Sequence, residues 1–231
     1  GEQTTMKAFA QLALLALFIY LASHTGDARS LAGNSAKQVE RASEKTKAPA
    51  WDFDLLDAAG RRHTAREWKD ARAVALFFIA TECPISNRYA PEINRMVAAY
   101  STGGVAFYGV HSDPDVGAAV APQHARDYGF DFPMLLDPTQ TFANRTGVNL
   151  TPTAVILSPA GESLYRGRID NRYLDFGRYR TAGIKPDLRL ALDAVIAGET
   201  IADPYPKSVG CALPPPGKQS TRITMDRGDS L

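Results

Sequence analysis

Phe77-Phe78-Ile79-Ala80-Thr81-Glu82-Cys83-Pro84-Ile85-Ser86 is the stretch whose reading decides the fold. It closes an apolar run, Ala73–Ile79, of strand length and without polar alternation. That is the pattern of a strand covered on both faces. Pro84 then suits the first position of a helix, where its missing N–H is one the helix would not use. Cys83 therefore falls at a strand-to-helix junction. Backbone N–H groups and the helix dipole stabilise a thiolate there, which makes the thiol acidic and nucleophilic. The plain alternative is a buried inert cysteine, a common state for free Cys; the strand–Cys-Pro–helix context weighs against it. A second segment, Leu150-Thr151-Pro152-Thr153-Ala154-Val155-Ile156-Leu157, sets a proline between threonines directly before another buried strand.

Working outward, Trp51, Phe53 and Leu55 alternate with aspartates as a half-buried strand does. Ala58-Ala59-Gly60 is a turn, and Thr64 is an N-cap for a short helix through Trp68. Pro84–Tyr100 reads as a helix with Tyr89, Ile93, Met96, Val97 and Tyr100 on one face and Gly103-Gly104 at its end. Pro91 inside it removes a hydrogen bond and kinks the axis. Val105–Val110 and Phe132–Leu136 read as strands, Ala118–Tyr128 and Thr139–Arg145 as helices closed by Gly129 and Gly147. Thr153–Leu157 and Ser163–Ile169 form a hairpin around Pro159-Ala160-Gly161, and Pro186–Ala197 is the last helix. Strands alternating with helices, then a hairpin and a helix, imply an α/β fold: a central mixed β-sheet flanked by helices on both faces.

The 231 residues carry a net charge of +1, which gives no footprint for nucleic acid. The two cysteines, Cys83 and Cys211, cannot build a zinc site alone, and no Cys/His ligand spacing surrounds them. No bound metal or organic cofactor is expected. Residues 1–22 read as a signal peptide or N-terminal anchor: Met6-Lys7 opens it, and the apolar run Ala8–Ala22 is short of the ~20 residues a membrane span needs. Residues 23–48 are a polar linker, 49–211 the folded domain, and 212–231 a Pro-rich, polar segment expected to be a disordered tail. The folded part is thus expected to be exported, periplasmic or secreted, with membrane anchoring through the leader as the variant. An oxidising compartment gives a cysteine pair meaning.

Phe78–Ser86, with Pro91 at its spacing, resembles the thioredoxin superfamily, and most closely its exported redoxins of the alkyl hydroperoxide reductase/thiol-specific antioxidant type. Trp51–Trp68 looks like that group's opening hairpin, Thr151-Pro152-Thr153 like its cis-proline motif, and Gly167–Tyr173 and Val209-Gly210-Cys211 like segments of bacterial redoxin-domain proteins. The resemblance implies a thioredoxin-like fold with an N-terminal β-hairpin extension. It implies Cys83 as the catalytic thiol, reducing a peroxide or a disulfide and regenerated by Cys211 or an external thiol reductant such as a thioredoxin-like protein. It implies a cis bond at Pro152 beside that cysteine, with the Thr151 backbone pairing with an extended substrate and Ser86 lining the same groove.

The departures are informative. Ser86 stands where Cys-x-x-Cys would place a second thiol, and a hydroxyl cannot attack a mixed disulfide. Ala80 and Leu76 occupy the positions of the peroxide-cradling Pro-x-x-x-Thr-x-x-Cys pattern. Asn87 excludes the Cys-x-x-x-Cys of copper-delivery relatives. Three readings of Cys211 stay open: a resolving thiol for a Cys83 sulfenic acid, a permanent structural disulfide stabilising by up to about 5 kcal/mol, or a cysteine that never meets Cys83. Arg88, Arg166, Arg168 and Arg172 are candidates for lowering the Cys83 pKa or binding an anionic substrate, against a solvated basic face as the favoured reading for any single one. His111 and His124 are candidate proton shuttles, with a surface position the favoured reading for each. A non-catalytic binding module that holds partners through a monothiol Cys-x-x-Ser site is the rival to the enzyme.

Overall fold

The computed structural model describes residues 53–216. The leader, the linker, Trp51 and the tail from 217 onward lie outside the described residues. In chain order the first half runs β1 (Asp54–Leu56), β2 (Arg62–Thr64), β3 (Ala73–Phe78), α1 (Pro84–Tyr100), β4 (Val105–His111), α2 (Val120–Tyr128), β5 (Met134–Leu136) and α3 (Thr141–Thr146). The second half runs β6 (Leu150–Thr151), β7 (Thr153–Leu157), β8 (Ser163–Gly167), β9 (Tyr173–Asp175), β10 (Arg178–Tyr179), α4 (Asp187–Ala197) and β11 (Cys211–Ala212).

Five strands form the central mixed sheet in the order β5-β4-β3-β7-β8. β3 pairs in parallel with β4, and β4 with β5. β3 also pairs antiparallel with β7, and β7 with β8. The α/β architecture with a mixed sheet and flanking helices is the one expected from the alternation of elements. β3 is apolar throughout because both of its faces are covered. Its odd-numbered residues Ala73, Ala75 and Phe77 pack in one core with Ile85, Ile93 and Met96 of α1 and Leu188 and Leu192 of α4. Its even-numbered residues Val74, Leu76 and Phe78 pack in the other with Phe53, Trp68, and Phe142 and Ala143 of α3. The two-residue period of a strand turns one unbroken run into two cores.

The expected N-terminal hairpin is β1 paired antiparallel with β2. A bridge between Asp57 and Leu135 ties it to the edge strand β5. Burial pushes the Asp57 carboxyl up, but bonds from His63, Arg61 and the Ala59 N–H outweigh it and hold the group below the usual carboxylate range. A single 3₁₀ turn, Ala65–Trp68, follows Thr64, whose N–H donates to the Glu67 carboxylate.

Three features differ from the sequence expectation. β8 stops at Gly167, short of Ile169, because the chain turns there to bring Asp170 onto Tyr89 of α1. A small hairpin, β9 with β10, fills a stretch to which the sequence reading assigned no element. Of the segment expected as a tail, Ala212 is paired with Leu150, and the Leu213 N–H donates to the Asn149 carbonyl at 3.0 Å.

Candidate active site

β3 delivers the chain to the edge of its sheet, where the Ile79 N–H still donates to the Val110 carbonyl at 3.1 Å. Cys83 follows as the N-cap of α1, in extended conformation, with Pro84 as the first helical residue. Its carbonyl accepts the Asn87 N–H at 3.0 Å, which closes the first turn. The side chain is 1% exposed and disulfide-bonded to Cys211, with the two Cα atoms 6.0 Å apart. The second of the three readings of Cys211, or the first, therefore holds; the third does not.

The Thr151–Pro152 peptide is cis, as the resemblance implies. It sets the Thr151 carbonyl oxygen 3.4 Å from the Cys83 sulfur. In a reduced protein the thiol can donate to that oxygen, whereas a thiolate would face its lone pairs. Two influences therefore oppose each other at Cys83: the helix N-terminus favours the ionised form and the carbonyl the protonated one. Cys211 reaches this place on β11, which pairs antiparallel with β6 so that Cys211 lies opposite Thr151. Gly210 is required by the approach, since a Cβ there would run into the Thr151 carbonyl.

Ser86 is buried and its hydroxyl accepts the Ala80 N–H at 3.4 Å, so it faces the loop below Cys83. Asn87 extends the same support. Its side-chain amide donates to the Thr81 carbonyl at 2.8 Å, and its oxygen lies 3.0 Å from His124 Nε2 on α2. The His124 ring meets His111 edge to face, with centroids 5.1 Å apart. Both histidines are buried, which corrects the expectation of surface positions. His111 is the last residue of β4, an inner strand, and α2 covers it. Burial pushes the His111 imidazole down to about 3, the nearby His124 adding to the effect and the Ile79 backbone opposing it. Burial also lowers His124. Both rings are neutral at pH 7.

The arginines are engaged elsewhere. Arg166 donates to the Thr146 and Gly147 carbonyls, Arg168 pairs with Asp187 at 2.7 Å, and Arg172 with Asp170 at 3.5 Å. Arg88 is exposed. Sequence reading missed the Thr81–Asn87–His124 chain, because hydrogen bonds between a loop, α1 and α2 leave no periodic mark. It missed the Asp170–Tyr89 bond for the same reason. Burial, with the Asp170 contact adding, raises the Tyr89 hydroxyl far above its usual range.

The sequence profile of the AhpC/TSA family matches residues 46–164, the span that holds β3, Cys83, α1 and the Thr151–Pro152 turn. The chain belongs to the AhpC/TSA family. Cys211 lies beyond the matched span. Among curated proteins, the thiol-disulfide oxidoreductases ResA of Geobacillus thermodenitrificans and of Halalkalibacterium halodurans are similar. The first is 28% identical over 112 residues, covering 48% of this chain and 62% of the relative. The second is 26% identical over 114 residues, covering 49% and 62%. The chain thus spans less than two thirds of the length of these relatives. Among solved structures, a conserved protein from Geobacillus kaustophilus matches with a TM-score of 0.63 at 26% identity, over 74% of this chain and 93% of that one. A protein from Sinorhizobium meliloti matches with 0.62 at 27%, over 72% and 92%. A thiol:disulfide interchange protein DsbE from Chlorobium tepidum shares the fold, with 0.51 at 22% over 64% and 95%. This redoxin of the AhpC/TSA family therefore has the thioredoxin-like fold that its Cys-Pro junction implied.

Proposed function

We propose that this redoxin is a thiol-disulfide oxidoreductase in which Cys83 is the nucleophile and Cys211 the second thiol of the cycle. The observation that carries the reading is the Cys83–Cys211 bond, made at the N-terminus of α1 and across the Thr151–Pro152 turn. The ResA relatives bear this activity in their names. In the forward direction the Cys83 thiolate attacks one sulfur of a substrate disulfide and expels the other as a thiolate. The Cys211 thiolate then attacks Cys83 in the mixed disulfide, which releases the second substrate thiol and leaves Cys83–Cys211 oxidised. Two electrons pass from the protein to the substrate. An external dithiol, the same exchange run against Cys83–Cys211, restores them.

Disulfides are preferred over peroxides as substrates for two reasons. The peroxide-cradling positions hold Ala80 and Leu76. The polar atom against the Cys83 sulfur is an acceptor, the Thr151 carbonyl, where breaking an O–O bond calls for donors to the leaving oxygen. The N-terminal apolar segment supports an exported setting for this chemistry, in a compartment where a disulfide persists.

The test is turnover of a model protein disulfide and of hydrogen peroxide in parallel, each with dithiothreitol as reductant. Disulfide reduction above background is expected from the wild type and none from Cys83→Ser. Cys211→Ser should accumulate a Cys83-linked mixed disulfide, visible by mass. Faster turnover of peroxide would replace the disulfide reading with the peroxidase one. A wild type as inactive as Cys83→Ser toward both would leave the binding module.

A further inference from the structure

Between Asp170 and α4 the chain leaves the body of the domain and returns. Two bonds close the neck of this excursion. The Asn171 N–H donates to the Lys185 carbonyl at 3.2 Å, and the Lys185 N–H to the Asn171 side-chain oxygen at 2.7 Å. Inside the neck, the Arg180 N–H donates to the Arg172 carbonyl at 2.7 Å, and β9 pairs with β10 around Gly177, whose φ of 72° suits a residue without a side chain. Tyr173 is the root of this arm. Its ring meets Tyr89 of α1 with centroids 5.4 Å apart, and its side chain leans on the core that holds Cys83. Beyond the root, residues 174–186 are exposed without interruption. Yet Leu174, Phe176, Tyr179 and Ile184 make up most of the large apolar side chains exposed among the described residues. Apolar side chains gathered on one exposed feature mark a contact surface, where scattered ones would not. The arm also carries charge of one sign. Arg172 is matched by Asp170 and Lys185 by Asp187. Arg178 and Arg180 are exposed, and neither meets a carboxylate within ion-pair distance among the described residues. Asp175, the one acid of the arm, turns its carboxylate onto the Phe176 N–H at 2.8 Å. Aromatic and arginine side chains with few acids or lysines are the composition of a protein–protein interface.

We infer that the β9–β10 arm is a docking site for an acidic, apolar-rich segment of the polypeptide whose disulfide Cys83 attacks. The inference rests on the thiol-exchange reading and deepens it, by naming the class of substrate and the surface that selects it. Two guanidinium groups without partners beside an apolar tip call for carboxylates set among apolar side chains. A second copy of this chain fits poorly, because the arm laid on itself would bring like charges face to face. The arm is held in shape by its neck and by the Tyr173 root, so little ordering is lost on binding. The helical rise from Cys83 to Tyr89 and the strand rise from Tyr173 to Phe176 put the tip of the arm within about 30 Å of Cys83. One polypeptide can hold the arm and present its disulfide to Cys83, and a small disulfide gains nothing from the arm.

Two measurements on the full chain test this. The first uses Cys211→Ser, in which Cys83 is the one remaining thiol. Three probes each have a cysteine carrying thionitrobenzoate. One is a peptide ending in Glu-Phe-Glu-Leu-Glu beyond a Gly/Ser spacer of about 12 residues, which can extend to ~40 Å. The second has lysine for each glutamate, and the third is free cysteine. The Cys83 thiolate attacks the cysteine sulfur, forms the mixed disulfide and expels coloured thionitrobenzoate. With free cysteine as the reference within each variant, the acidic peptide should react ~10-fold faster than the basic one at low ionic strength, and salt should shrink the difference. Adding Arg178→Glu/Arg180→Glu should invert the preference, and adding Phe176→Ser should remove most of the acidic peptide's advantage. All three positions are exposed, so the variants keep the fold. The second measurement reads docking without thiol chemistry. A fluorescent, cysteine-free acidic peptide should bind the wild type by anisotropy and not the charge-reversed variant. Equal rates for the two peptides, or a preference that survives charge reversal, would overturn the docking arm and leave the thiol chemistry standing. Peptide binding beside a Cys83 inert to all three probes would overturn the exchange reading and leave the arm. Sedimentation with phosphatidylglycerol vesicles, or self-association of the chain, either one lost in Phe176→Ser and joined to equal peptide rates, would replace the polypeptide with a lipid surface or a second copy.

Discussion

The two sulfurs of the Cys83–Cys211 bond sit on unlike supports. Cys83 stands where a fully buried strand passes into a helix of 17 residues, within the core that α1 and α4 share. Cys211 stands on a two-residue strand, partly exposed, with Val209 before it leaning on one core and Leu213 after it on the other. One cysteine is fully buried within regular structure, the other half-buried on a short edge pairing with apolar contacts on either side. The difference matters for exchange chemistry, in which one sulfur should hold still while its partner comes and goes.

The contrast breaks first at the core. Phe78→Ala should cost about 3–5 kcal/mol, because a fully buried ring between Phe142 and its neighbours leaves a cavity the strand cannot close. Leu213→Ala, whose partly buried side chain leans on the same core from the segment after Cys211, should cost less, about 1–2 kcal/mol, because only part of that side chain leaves water. Urea denaturation of the oxidised protein measures both. Equal losses would mean that the segment around Leu213 is as much a part of the core as β3.

Reduction is the next largest effect. The bond closes a loop with a sequence separation of 128, and opening it should lower stability by about 2–4 kcal/mol, the usual range for a native disulfide. Denaturation with and without dithiothreitol reads it directly. The same reductant should leave the Phe78→Ala penalty unchanged, since the two act at independent sites.

Acid acts on the Cys83 side alone. The folded-state pKa of His111, about 3, lies below its ordinary 6.5, so in that window the unfolded chain binds a proton the folded one excludes. The contribution is complete above pH 6.5 and is lost as pH falls toward 3, at up to ~1.4 kcal/mol per pH unit for this one group. His124, also lowered by burial, adds in the same direction. Thermal melts from pH 7 to 4 should fall, and His111→Leu should flatten the slope. An unchanged slope in that variant would place the acid sensitivity elsewhere.

How much of this was legible depended on the kind of signal. The run Ala73–Ile79 announces a doubly covered strand by composition alone, and β3 is buried at every position. Pro84 and Gly129 mark helix ends through backbone chemistry that belongs to single residues, and the ends fall beside them. Cys83 and Pro152 were legible because each carries its chemistry in its own side chain. The pairing of Cys211 with Cys83 was not, since nothing local fixes which distant segments meet. The burial of His111 was missed because a polar residue closing an apolar strand reads as emergence into solvent, and only the packing of α2 over β4 reverses that. Gly210 owes its role wholly to Thr151, far along the chain, and Asn87 owes half of its own to His124.

Ser86 gives the finest division between the two supports. Its place in Cys-x-x-Ser suggests a groove residue that meets substrate, yet its hydroxyl is buried and accepts the Ala80 N–H across 3.4 Å. A hydrogen bond of that length is near the limit of useful geometry, and the amide it serves is half-buried. Ser86→Ala should therefore cost only about 0.5–1 kcal/mol in urea denaturation, the lower part of the range for one neutral bond. If Ser86 belongs to the scaffold, the rate of Cys83 with a model disulfide should stay within about twofold of wild type, because a 1.4 kcal/mol change is needed for a factor of ten. A tenfold loss of rate with unchanged stability would move Ser86 from the support beneath Cys83 into the surface that meets substrate.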